Sequence, residues 1–254
     1  MNPQRLGALL EKEWREMFKN KMVLISVAIA PMILLLISVF LLVLFEASYG
    51  ELLADAQLLR QLEGDWAILF NNILMFFLFM PLVIPLAIAV YAVVGEKEQG
   101  SLEPLLATPI TDLELFAGKA LASVLPGLLI TWAAYAAFAA VALAWMPPAL
   151  TAFFFAPPWL LAMFGLAPLI ALFSVLAAMA ISAFTRDTRA AYQLSSLIMV
   201  PFLIGSLYHI FTQRELVSVG LIAAAMGGAA LVDALVLGLG LRLFRREDIL
   251  TRCP

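Results

Sequence analysis

The hydrophobic positions of this chain gather into six long blocks, at about residues 22–45, 67–94, 120–145, 159–184, 190–211 and 217–244. Each reaches the roughly 20 apolar residues that a helix needs to cross a bilayer. The blocks are apolar on every side instead of alternating with period two, so they predict α-helices and not barrel strands. Pro31, Pro81, Pro85, Pro126, Pro168 and Pro201 fall inside them. Membrane helices tolerate proline, and kinks are expected there. The first block holds too many uncharged residues to be the apolar core of a cleaved leader, roughly 7–15 residues, and is expected to be a retained first span.

Ahead of that block, residues 1–21 alternate differently. Leu6, Leu9, Leu10, Trp14, Met17 and Phe18 recur at helical spacing, with Arg5, Lys12, Arg15, Glu16 and Lys19 opposite. This pattern predicts an amphipathic helix lying at the membrane surface. Glu13 falls inside its apolar arc. Two readings are open: Glu13 packs against protein, such as a partner subunit, or it reaches out to water.

The longest polar interval between blocks runs from Gly95 to Lys119, GEKEQGSLEPLLATPITDLELFAGK. An acidic start, Glu96 to Glu103, leads into a short segment around Leu105 and Leu106, and Pro109 ends it. Thr111 with Glu114 three residues on makes a capping box for a fresh helix. The interval therefore predicts a short helix docked beside the membrane, suited to receiving force from a partner. Outside the first two spans, Ser48 and Glu51 predict a second capping box, with Leu52, Ala56, Leu59 and Leu62 on one face and Gly64 as terminator. The acids of that loop read as a solvated face, or as an attraction for a cationic substrate.

Composition agrees with a membrane protein, at 64% hydrophobic and 13% charged residues. Of the fifteen Lys and Arg, only Arg60 and Arg214 fall in the loops opposite the N-terminus. The positive-inside rule then places both termini and the Gly95–Lys119 interval in the cytosol. Because the basic residues spread along one membrane face without clustering, nucleic acid is not an expected partner.

Candidate chemistry is sparse. Cys253 is the sole cysteine and His209 the sole histidine, so neither a disulfide framework nor a metal site is expected. His209 reads as an interfacial residue. The phosphate-loop pattern is absent, as are HExxH and a serine–histidine pair, so no catalytic residues are assigned. Asn71, Asn72, Met75, Phe76 and Phe79 in the second block could line a translocation path or simply pack against neighbours. Phe153, Phe154, Phe155 and Trp159 read as an interfacial aromatic belt. Asp233 is the one acid deep inside a span, where an ionised carboxylate costs several kcal/mol unless paired. It shares a wheel face with Ala229, Ala230 and Gly240, which predicts burial against another helix or toward a cavity.

Taken in order, Glu96, Lys97, Glu98, Gln99, Gly100, Ser101, Leu102, Glu103, Leu105, Leu106, Pro109, Gly118 and Lys119 resemble the signature after the second span of type 2 ABC transporter permeases. The turn TRDTRAAYQ and the ending FRREDIL extend the resemblance over nearly the whole chain, and Pro104 is a mild departure tolerated in a first helical turn. The resemblance implies an all-α polytopic permease fold: residues 1–21 as interface helix, residues 22–254 as a six-helix transmembrane domain, and residues 95–119 as coupling segment. It implies that Glu96, Glu98, Gly100, Ser101, Leu102, Glu103, Leu105, Leu106 and Pro109 couple to a separate ATPase subunit, with the glutamates pairing with basic residues on that ATPase or on the N-terminal helix. ATP and Mg would be bound by two copies of that subunit and no cofactor by this chain. A second permease, identical or homologous, and the bilayer complete the expected partners. The expected setting is a prokaryotic inner membrane and the expected activity is export. The alternative is a channel or secondary transporter driven by an ion gradient, for which Asp233 is the sole support.

Overall fold

The computed structural model describes residues 3–49, 68–98, 111–146, 151–185, 187–212 and 217–243. The described residues are helical, with no strand among them. A surface helix, α1 (Pro3–Lys19), is followed by α2 (Lys21–Tyr49). Then come α3 (Ile68–Glu98), α4 (Asp112–Trp145) and α5 (Pro157–Phe184). A broken helix, α6 (Thr188–Ser196 and Met199–Thr212), and α7 (Val219–Leu243) complete the bundle. Helices α2 to α7 each carry a stretch long and apolar enough to cross a membrane.

Burial ranks these spans. In α3, 83% of the most apolar stretch is buried, against 22% in α2, 17% in α6 and 11% in α7. Helix α3 is thus the axis, packed on α2, α4, α5 and the first part of α6, while α7 lies outside on α5 and the edge of α4. Gly127 explains how closely α4 meets α3. A Cβ there would overlap the ring of Pro85, so only glycine permits the approach.

The prolines act unequally. Pro31 and Pro126 lie within continuous helix. Ahead of Pro81, which has no N–H to give, α3 tightens at Leu78 and Phe79 into bonds back to Met75 and Phe76. Helix α6 breaks at Leu197 and Ile198, just ahead of Pro201. Wide π-type turns interrupt α5 at Ala162–Leu166 and α3 at Tyr91–Gly95.

Two expectations are corrected. Ser48 does not begin a new helix: α2 continues through it, and its hydroxyl donates to the Leu44 carbonyl one turn back, 2.8 Å. The aromatic belt is not a belt. Phe154 and Trp159 are buried, and Phe155 stays exposed. The Phe154 ring sits 5.2 Å from both Phe70 and Phe138, and Phe138 stacks on Phe77, because a ring edge meeting a neighbouring face is favourable when both are buried. Tyr135 adds a bond from its hydroxyl to the Phe154 carbonyl, 2.6 Å.

Candidate functional site

Polar side chains concentrate where α3 ends. Helix α1 turns Leu9, Glu13 and Met17, spaced four apart, toward α4, while Phe18 faces outward. The approach is close because a Cβ on Gly118 would overlap the end of the Leu9 side chain. Trp14 adds an indole bond to the Ala122 carbonyl, 3.1 Å. Glu13 therefore packs against protein of its own chain.

Lys119 stands beside Gly118 and is 1% exposed. Its ammonium meets the Glu13 carboxylate at 2.8 Å, the Glu96 carboxylate at 2.7 Å and the Ala92 carbonyl at 2.8 Å. All three of its donors are used. The Ala92 carbonyl comes from the π-type turn of α3, whose wider spiral opens backbone acceptors to side chains. Lys12 of α1 pairs with the other Glu96 oxygen and lies 3.3 Å from Glu16. Burial works against the Lys12 charge, but the Glu96 contact and the nearby Glu13 and Glu16 outweigh it. Its pKa is accordingly raised above the ordinary 10.5.

Glu13, Glu16 and Glu96 bring oxygens within 4.8 Å of one another, a spacing that a cation could bridge. The two lysine ammoniums already sit on these oxygens and supply the compensating charge. Beside the cluster, a cavity of about 370 Å³ opens among α1 to α4, lined by Glu16, Asn20, Val23, Tyr91 and Ser123.

The two residues after Glu96 point elsewhere, since successive helical positions turn by about 100°. Lys97 donates to the Ser182, Ala183 and Thr185 carbonyls at the C-terminal end of α5, at 2.7, 3.1 and 3.4 Å. Glu98 accepts from the Thr188 amide, the first of α6, at 2.7 Å. Asp187 accepts from the Arg189 and Ala190 amides, and its carbonyl from Ala191. The first four amides of α6 are thereby satisfied. On the other side of residues 99–110, the capping box forms as the sequence predicts. Thr111 Oγ1 accepts from the Glu114 amide at 3.2 Å, and Glu114 Oε2 accepts from the Thr111 amide at 3.1 Å.

A bundle of six apolar helices with this polar end agrees with the outcome of family comparison. The model of the ABC-2 family transporter proteins matches residues 7–214. The chain belongs to that family. The match runs from the first turns of α1 through the end of α6, so the polar cluster lies within the part matched by the ABC-2 family. Comparison with curated proteins finds no match. As an ABC-2 permease, the chain is a multi-pass membrane component of an ABC transporter without an ATPase site of its own.

Of the coupling residues expected in this ABC-2 permease, Glu96 and Glu98 are placed as above, within the chain. Gly100, Ser101, Leu102, Glu103, Leu105, Leu106 and Pro109 lie outside the described residues, as do the FRREDIL ending and Cys253. The expected path residues divide. Asn71 accepts from the Trp159 indole of α5 at 2.9 Å. Phe79 meets Phe202 of α6 edge-on at 4.5 Å and stacks on Phe76 at 6.2 Å. Met75 is half-buried, and the Asn72 side-chain oxygen is buried with no hydrogen-bond partner among the described residues.

Asp233 is buried on α7, and neither carboxylate oxygen has a partner among the described residues. Of the small residues expected beside it, Gly240 is buried against Phe116 and Ala229 is half-buried, but Ala230 is exposed. The pairing expected between a glutamate of the coupling segment and a basic residue of the N-terminal helix is met by Glu96 and Lys12, whereas Lys97 and Lys119 were not expected as partners. A signal was present in Gly118–Lys119: a glycine for close approach followed by a long cation at the edge of an apolar block.

Proposed function

We propose that this permease forms, with a second identical or homologous permease, the path of an ATP-driven exporter in a prokaryotic inner membrane. Two copies of a separate ATPase subunit bind the cytosolic segment 95–119. The carrying observation is that the first residues of that segment, Glu96–Lys97–Glu98, bond to α1, α4, α5 and α6 at once. A foot attached there has four helices to move.

ATP and Mg bind the partner, and their binding draws the two ATPase subunits together. The foot follows, and the permease shifts between two arrangements of its path. Only an ATPase that binds one arrangement better than the other can drive that shift. Leu102, Leu105 and Leu106 fill the ATPase groove in this reading. Asn71, Asn72, Met75, Phe76, Phe79 and Asp233 are the residues assigned to the path.

The test replaces Leu105 and Leu106 by Asp and measures ATP hydrolysis and transport in the purified complex. The double variant is expected to remain folded in the membrane and to lose the ATPase subunit or its coupling to transport. Transport by the permease alone, with no ATP-hydrolysing companion, would overturn the proposal.

A further inference from the structure

We infer that Lys97 and Glu98, at the end of α3, form a clasp on the α5–α6 turn, through which movement of the coupling segment reaches α6 directly and not only through the packing of the spans on one another. The inference rests on the proposed ATPase coupling and adds to it a second line of transmission.

Three observations carry it. First, the clasp matches charge to helix ends. The C-terminal end of α5 presents orphan carbonyls with partial negative charge, and Lys97 meets three of them. The N-terminal end of α6 presents orphan amides with partial positive charge, and Glu98 meets the first. Adjacent residues of opposite sign thus hold the two opposite poles of one turn.

Second, the turn supplies its other caps itself, through Asp187. It leaves open on α6 only the amide that Glu98 fills, so Glu98 completes a cap and is not a redundant addition to one. Third, among the described residues α6 has few other attachments. Only 17% of its most apolar stretch is buried, and its main packing partners are α5 and α3, near this same turn. A helix held mainly at one end follows that end.

Glu98 is the last described residue ahead of residues 99–110 of the coupling segment, and its bond to Thr188 is charge-assisted and short, at 2.7 Å. A displacement of the segment therefore arrives at α6 through one amide. The α6 break at Leu197 and Ile198 then separates the driven part from the part that carries Phe202 against Phe79.

The experiment uses the complex of permease and ATPase subunit with Cys253→Ser as background. Spin labels are placed at Ala8→Cys in α1 and Gln193→Cys in α6, both exposed positions. In the otherwise unaltered complex the label distance is expected to be narrow and the same without nucleotide and with Mg-ATP and vanadate, because clasp and cluster move as one body. The charge exchange Lys97→Glu with Glu98→Lys keeps net charge and is expected to make that distance broad and nucleotide-dependent. An unchanged narrow distance in the exchange variant would overturn the inference, and so would a nucleotide-dependent distance in the unaltered complex.

A milder pair guards against misfolding. Amide exchange at residues 188–191 is expected to rise about tenfold in Glu98→Ala and to return toward the native rate in Glu98→Gln, which keeps an acceptor oxygen. Equal exchange in Ala and Gln variants would also overturn it. Failure of the ATPase subunit to bind the unaltered permease would instead remove the functional proposal itself, so the two failures are separable.

Discussion

The two ends of α3 are fastened in different ways. Toward its start, Phe70 and Phe77 meet Phe138, Phe154 and Tyr135 in a cluster of rings. Toward its finish, Glu96, Lys97 and Glu98 are held by ion pairs and helix caps. Ring packing is weakly directional and tolerates small slides, so it suits a pivot. A buried ion pair or a cap has one partner in one geometry, and separating it leaves charge without compensation. The polar end therefore passes displacement on, while the aromatic end can accommodate it. Under the proposed coupling, the polar end is the driven one and the aromatic end the yielding one.

Removing Lys119 should break the contrast most severely. Lys119→Met leaves Glu13 and Glu96 buried with one fewer cation, at a cost of about 3–5 kcal/mol. Unfolding in a detergent titration, read by helicity, should shift accordingly, and α1 should become accessible to protease. Phe154→Ala empties the centre of the ring cluster. The cost should be about 2–4 kcal/mol, at or below the range for soluble cores, because unfolded spans remain in lipid. Its distinguishing mark is that α1 should stay protected from protease.

Thr111→Ala removes one half of the capping box and should cost about 1 kcal/mol in the same titration. Alkaline pH should have the smallest effect. The Lys12 pKa is raised, so its contribution is complete below the ordinary value of 10.5 and fades only as pH climbs beyond that toward the raised value. Protease access to α1 should therefore not respond to Lys12 titration near neutral pH, and loss of α1 protection on mild alkalinisation would contradict the ion-pair account.

How much was legible follows from how far each signal reaches along the chain. The six spans were legible because a bilayer imposes length and apolarity on consecutive residues. So was the Thr111–Glu114 box, whose partners lie three positions apart. Lys12 and Glu96 are 84 positions apart, so their pairing was legible only as an implication of the family resemblance, and Lys119 with Glu13, 106 apart, was not legible at all because only helix packing brings them together. The destination of Phe154 was hidden for the same reason. An aromatic near a span end looks identical whether it faces headgroups or a gap between α3 and α4. Ser48 misled in the opposite way, since the residues after it spell a helix start while its hydroxyl is equally content bonding one turn back.

The most direct test of a driven polar end is a photo-crosslinker at Leu105 in intact membranes. The account predicts capture of an ATP-hydrolysing subunit, with a yield that changes when Mg-ATP and vanadate are added. A transporting permease that captures no such subunit from this position would contradict it.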